Sequence, residues 1–306
     1  MSDIFKQVPG FILQLPSTQV LSENIYAYLV SDPDRQSMHR HYVLYPFLGH
    51  GIIFGSDIGV TFAGDTCWIS RKKGKLGCYY IGLIQQPVHF YIEPEAEIFA
   101  VIFKAMGICK FLKEPLPFYI HTSPELFNPF GLSLVSMLKK IRGEKDPVSI
   151  IAATEFLLMQ HYREANISIV ENAFNKILSA EDEIHLGDLA KDLKVNRQYL
   201  HRGFKNYVGL SFNAIVSVSR FFKTIEKIRH GVHQSFSHVA IDSGYYDKSH
   251  INHEFKKLTG LSPSSFRKKI MNINEFLYFS YDEPRSEFSV PGVSGYSAIS
   301  SSDATT

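Results

Sequence analysis

At 306 residues the chain is long enough for two domains of ordinary size, each with its own core. Its composition, 45% hydrophobic and 20% charged, is that of a soluble globular protein, and no segment reaches the roughly 20 apolar residues that a membrane span requires. The N-terminus, MSDIFKQVPGFILQLP, lacks the basic start and long apolar run of a secretory signal, so the expected location is cytoplasmic, with no membrane partner.

The charge is unevenly placed. Residues 184–270 hold 15 Lys and Arg against six Asp and Glu, a balance of +9 with seven histidines besides, while the rest of the chain holds 17 against 24, or −7. A basic module joined to an acidic one is the electrostatic footprint of a nucleic-acid binder attached to something that is not one. Three cysteines, Cys67, Cys78 and Cys109, cannot form a fully paired framework, and no two lie at the C-x-x-C spacing of zinc or redox sites. They are expected to be buried small hydrophobes.

Residues 1–130 are rich in aromatic and β-branched residues punctuated by glycine. The runs YVLYPFLGHGIIFG, GVTFAGDTCWIS, GCYYIGLIQ, PVHFYIEP and AEIFAVIFKA predict successive β-strands in a barrel or sandwich. RKKGKLG, residues 71–77, reads as a hairpin turn with solvated charges. From Pro129 the texture changes: LSLVSMLKKIRG, VSIIAATEFLLMQHYRE and ISIVENAFNKILSA carry apolar residues three and four apart, which predicts amphipathic helices. Pro147 marks a helix start, and Asn166 through Ser168 offer a break and an N-cap. These helices either cover one end of the barrel or form a homodimer interface. The stretch from about Asp282 to Thr306 is dominated by Ser, Gly, Asp and Thr, and predicts a disordered tail.

An internal repeat lies in the basic segment. Leu189-Ala190 recurs as Val239-Ala240, and Phe204-Lys205 followed by Gly209-Leu210-Ser211 recurs as Phe255-Lys256 followed by Gly260-Leu261-Ser262. Each copy makes sense as helix, turn, helix. Ala190 and Ala240 let a second helix cross close to the first. Gly244 sits where the first helix of the second copy should end, in left-handed geometry that glycine adopts without steric cost. Its counterpart is Lys194, which costs roughly 1 kcal/mol if the geometry is the same. Leu200 and Phe204 form the inward stripe of one second helix, Ile251 and Phe255 that of the other.

The segment resembles the DNA-binding domain of the AraC/XylS regulators, which joins two helix-turn-helix units by a linking helix and closes with a G-x-S-P-x-x-[FY]-R signature. Gly260, Ser262, Pro263, Phe266 and Arg267 match that signature, and SVSRFFKTIEKIRHG, with Arg220 in place of the family's usual arginine, resembles the linking helix. Four departures stand out: Lys194 for glycine, Gly203 inside the first reading helix, Phe221 for leucine and Thr224 for alanine. The resemblance implies double-stranded promoter or operator DNA as the partner, with RNA polymerase, a small-molecule effector and a second copy of the chain as further candidates. It places base reading on Gln198, His201 and Arg202 in the first unit and on Lys248, Ser249, Asn252 and His253 in the second. Arg202 suits guanine, Gln198 and Asn252 suit adenine, and Lys248 suits guanine or a phosphate. Arg197, Lys205, Lys256 and Lys257 are assigned to the DNA backbone. The second unit is expected to anchor the chain and the first to add specificity from a looser helix.

The predicted fold class is therefore α+β in two domains. A β-rich barrel or sandwich spans 1–130 and resembles N-terminal sensor domains, a helical linker and candidate dimerisation region spans 131–180, an all-α double helix-turn-helix spans 181–272, and a tail spans 282–306. Aromatic strands either line an effector cavity or fill a solid core, and no effector-binding residue can be named. His39 and His41, with His50 nearby, suggest a metal site, but Val43 to Phe47 offer no glutamate, so core or solvated histidines are favoured and neither metal nor cofactor is expected. No nucleophile elbow, phosphate-binding glycine loop or paired carboxylate is found, and the chain is not expected to be an enzyme. Two alternatives stay open: a constitutive DNA binder whose N-terminal half only dimerises, and a DNA-repair enzyme with a borrowed DNA-binding domain, which would need a reactive cysteine.

Overall fold

The computed structural model describes residues 9–32, 40–120, 128–180, 184–230, 245, 247–269, 271–273 and 277–282. The N-terminal half supplies β1 (Phe11–Gln14), α1 (Gln19–Asn24), β2 (Ile25–Ser31), β3 (Arg40–Leu44), β4 (Gly49–Ala63), β5 (Thr66–Ile81), β6 (Val88–Ile92) and β7 (Phe99–Lys104). The described strands form one sheet in the order β1-β2-β7-β4-β5-β6-β3-β9-β8, antiparallel except at β5–β6. Its last two members come from the far end of the chain, β8 (Met271–Ile273) and β9 (Leu277–Asp282).

Alternation along each strand divides the side chains between two cores. Phe99, Val101 and Phe103 of β7 and Ile52 and Phe54 of β4 face the outer helices, whereas Ala100, Ile102 and Ile53 face the inside of the curled sheet with Phe11, Tyr42, Phe90 and Ile92. On the outer face lie α2 (Leu116–Ile120), α3 (Gly131–Lys140) and α4 (Pro147–His161), which contribute Leu116, Leu134, Leu138, Ile151 and Leu158 to the first core. Arg40 is fully buried, donating to the carbonyls of Gly10 (3.2 Å) and Ala96 (3.0 Å) beneath the Phe11 ring, and so ties β1 and the β6–β7 connection to β3.

Two local expectations are corrected. RKKGKLG is not the hairpin turn: it lies within β5, where register passes from Ile58↔Arg71 to Ser56↔Leu76 and residues 72–75 bulge outward opposite Asp57. The turn itself is formed at Gly64, whose φ of 60° needs no Cβ to be accommodated. Charge-rich composition located the solvated segment but not the reversal. The third helix of the linker, α5 (Ser168–Ser179), begins after Ile167 without any side-chain cap, whereas Pro147 of α4 does stand at the helix start, behind an Asp146 carboxylate that accepts from the Val148 and Ser149 amides. Asp282, near which the tail is expected to begin, is the last residue of β9 and pairs with His41; residues 283–306, on which the expectation of a disordered tail falls, lie outside the described residues.

Candidate nucleic-acid interface

The basic segment folds as α6 (Leu186–Asp192), α7 (Arg197–Gly203) continued by a π-turn at Phe204–Val208, α8 (Phe212–His230), α9 (Lys248–Thr259) and α10 (Pro263–Lys269). α7 and α9 are built alike at an offset of 51 residues. Asn196 caps α7 through its side-chain oxygen and the Tyr199 amide, and Asp247 caps α9 through the His250 amide, each at 2.7 Å. Leu200 and Phe204 in one, Ile251 and Phe255 in the other, are fully buried. Both end on a left-handed glycine, Gly209 (φ 80°) and Gly260 (φ 71°), and both hand over to a serine, Ser211 and Ser262, whose Oγ accepts from the amide three residues on. The caps at Asn196 and Asp247 went unread in the sequence, although the repeat offset points to both.

The polar faces are turned outward. Gln198, His201 and Arg202 are exposed on one side of α7, at the i, i+3, i+4 spacing that makes them neighbours. Ser249, Asn252 and His253 are exposed on α9, as are Lys256 and Lys257 near its end; Lys248 opens the helix. Tyr199 and its repeat partner His250 are exposed beside these sets and were missed. Arg197 lies back over α6: a Cβ on Gly187 would stand 2.5 Å from its guanidinium. With His185, His201, Ser211 and Asn213 it borders a groove of about 460 Å³ at the start of α8. Lys205 is exposed on the π-turn.

The departures from the family pattern acquire physical reasons. Lys194 does adopt left-handed geometry, φ 55°, in the turn between α6 and α7, with the next amide, Val195, reaching back to the Ala190 carbonyl. Lys194→Gly is expected to raise stability by about 1 kcal/mol, read as a higher melting temperature; an unchanged or lower value would show that the lysine is not strained. Gly203 is buried with its Cα against Val170 of α5, where any Cβ would come 2.5 Å from a Val170 methyl. Phe221 fills the space between Phe255 and Phe266, and Thr224 donates to the Arg220 carbonyl four residues back. Arg220 reaches Glu254 of α9 at 3.9 Å and lies over the Tyr245 ring, while Ser217 donates to the same carboxylate at 2.7 Å, so α8 grips α9 by its inner side. Gly244, Ala240 and Val239 lie outside the described residues.

Residues 189–269 match the family described as Helix-turn-helix domain. The chain carries an AraC-type helix-turn-helix domain. A curated relative, the Msm operon regulatory protein of Streptococcus mutans serotype c, is 28% identical over 127 residues, covering 40% of this chain and 45% of that protein, so the chain spans under half of the relative it matches. Among solved structures, the C-terminal domain of AraT, a response regulator from Geobacillus stearothermophilus, is 26% identical over 36% of this chain and 93% of its own, with a TM-score of 0.32. ToxT from Vibrio cholerae is 11% identical over 75% of this chain and 96% of its own, with a TM-score of 0.42.

The AraC-type domain is packed against the sheet at two places. Leu48, Ala105 and Met106 join the core formed by α5 and the first unit, and the Cys109 thiol donates to the Tyr207 carbonyl in the π-turn at 3.1 Å. Val43 and Tyr45 join the core of the second unit, Tyr45 meeting Phe266 edge to face at 4.7 Å between centroids. Burial pushes all three thiols up, that of Cys109 to about 12, which keeps them protonated and poor nucleophiles. His50 is enclosed between Tyr80 (2.7 Å) and the Ala105 carbonyl (2.9 Å), while His41 stacks on Tyr91 and meets His89 at 3.1 Å. His39 lies outside the described residues; among those described, no three metal-ligating side chains are grouped, and no helix is long and apolar enough to cross a membrane.

Proposed function

We propose that the chain is a sequence-specific DNA-binding transcription regulator whose N-terminal sheet responds to a small apolar effector. The observation that carries the first half is the pair of repeat-related helices, α7 and α9, each capped, buried along one stripe and polar along the other. In a helix-turn-helix the N-terminal part of such a helix enters the major groove, and two units on one linking helix read successive groove segments about 34 Å apart. The two reading sets differ, so the bound site is not internally palindromic. Exposed Tyr199 adds an aromatic edge suited to a thymine methyl.

Binding titrations on a selected site and on random duplex test the assignments. Arg202→Ala is expected to cost roughly 1–3 kcal/mol on the selected site and to relax preference at one base pair, whereas Lys256→Ala should weaken all duplexes alike and lower the salt slope by about one. Equal losses on both duplexes for Arg202→Ala would remove its base-reading role. A promoter-fused reporter separates activation through RNA polymerase from repression by occlusion.

The effector half rests on a cavity of about 110 Å³ inside the curled sheet, lined by side chains such as Tyr42, Phe47, Ile53, Ile81 and Ile102. Its walls are almost wholly apolar, which selects a small hydrocarbon or aromatic group over a sugar or an anion. Screening apolar metabolites for a rise in melting temperature tests it; a constitutive DNA binder would show none. The buried thiols speak against alkyl transfer by a repair enzyme.

Dimerisation is assigned to α4, which carries apolar side chains on two faces: Ile150, Ile151, Leu157 and Leu158 face the core, while Val148, Phe156 and Met159 are exposed on the other side, Phe156 at 67%. Phe156→Glu should leave the fold intact and convert a dimer to a monomer in sedimentation; a wild-type chain that already sediments as a monomer would end this assignment.

A further inference from the structure

Strand β3 belongs to two cores at once. Tyr42 and Leu44 point inward and line the cavity, while Val43, on the opposite face, and Tyr45, just past the strand's end, are part of the hydrophobic core of the second helix-turn-helix unit, with Phe221, Phe255 and Phe266. The strand is hydrogen-bonded along both edges, to β6 on one side and to β9 on the other, with pairs from Arg40↔Ile92 to Leu44↔Val88 and from His41↔Asp282 to Leu44↔Phe279. β9 is itself the continuation of the chain beyond α10, so the second unit holds β3 both by packing and through the backbone that follows it. Phe222 on α8 packs against the inner core of the sheet and against the cores of both reading units.

We propose that β3 is the element that transmits filling of the cavity to the second DNA-reading unit. A strand paired on both edges shifts as a body, and packed cores resist gradual deformation. An occupant pressing on Tyr42 and Leu44 therefore moves Val43 and Tyr45 against Phe255 and Phe266, and so moves the seat of α9. The first unit meets the sheet through Leu48, Ala105 and Met106, none of which lines the cavity, and shares with the inner core only Phe222, which the second unit shares as well, so it is the less affected. This inference rests on the cavity being the effector site, and it specifies how that site regulates DNA binding.

The test fills the cavity without a ligand. Ala100 lines it from β7, four strands along the sheet from β3, and Ala100→Leu adds three carbon atoms to its space. Hydrogen exchange on the full chain should show amides of α9 and α10 altered by about fivefold or more, with those of α6 and α7 changed by less than about twofold. In a Val43→Ala background the response of α9 and α10 to Ala100→Leu should shrink to less than half. Equal responses in both units, no response, or one that survives Val43→Ala unchanged would overturn the proposal. Should Ala100→Leu fail to fold, toluene added to the native chain replaces it, with the same comparison. A response to Ala100→Leu in a chain whose melting temperature no apolar compound raises would remove the effector reading and leave the coupling standing.

Discussion

Substituting Gly203 by valine is expected to destabilise the chain by about 3 kcal/mol, read as a lower melting temperature. The reason is local geometry. A Cβ at this position would lie 2.5 Å from one Val170 methyl and 3.2 Å from the other, and Val170 itself is buried in the core that joins α5 to the first unit. The helix cannot retreat freely, because Leu200 and Phe204 on either side of Gly203 are fully enclosed. Within an isolated helix glycine costs roughly 0.5–1 kcal/mol relative to alanine, so a loss here on enlarging the residue would show that close approach outweighs propensity. The decisive comparison is a double variant: Val170→Ala should recover a large part of the stability lost in Gly203→Val. Recovery of nothing would mean that the contact with Val170 is not what requires glycine.

Acid is expected to weaken the chain through His50. Its Nε2–H donates to the Ala105 carbonyl and its Nδ1 accepts from the Tyr80 hydroxyl, the pattern of a neutral ring, and burial lowers its pKa to about 4 from 6.5. Above pH 6.5 the ring is neutral in the folded and unfolded chains alike. Below it the unfolded chain takes up a proton that the folded one refuses, so stability falls as pH drops from 6.5 to 4, by about 3 kcal/mol in total. Urea titrations at pH 7 and pH 4.5 on the native chain and on His50→Gln measure this directly. The variant should start less stable and lose markedly less on acidification; identical losses would assign the acid sensitivity to other groups.

Local chemistry was readable and long-range pairing was not. The stripes of Leu200 with Phe204 and Ile251 with Phe255 follow from a spacing of four, and the strain at Lys194 follows from its alignment with a glycine in the repeat. Reading the repeat further would have yielded Asn196 with Asp247 and Tyr199 with His250, since each pair sits at the same offset. The turn at Gly64 was within reach as well, for AGDT is a short glycine turn between strands; the denser charges of RKKGKLG drew the reading to the wrong place. By contrast, nothing in the alternation of Arg40 to Leu44 says that its outward residues will be covered by Phe255 and Phe266 more than 200 positions away. Nor does LYFSYD announce that it will pair with that strand, although its aromatic composition suits a sheet. Gly203 shows the same limit: a glycine in a helix reads as weakness until the neighbour that demands it is known. The residues proposed to read bases follow from the repeat and the family pattern together, and those of them whose side chains are described are exposed on α7 and α9.

The pairing of β3 with β9 also sets an order of events during synthesis. β3 leaves the ribosome some 230 residues before the strand that covers its edge, and until then one side of that strand offers open amides and carbonyls next to the apolar Val43 and Tyr45. The nascent sheet must therefore wait, unsealed, while both helix-turn-helix units are made, and a chain ending at Lys269 would wait indefinitely. Aggregation should accordingly be a hazard of a polypeptide that stops short of β9 more than of one that includes it, with that short strand acting as the stopper that seals the first domain's edge.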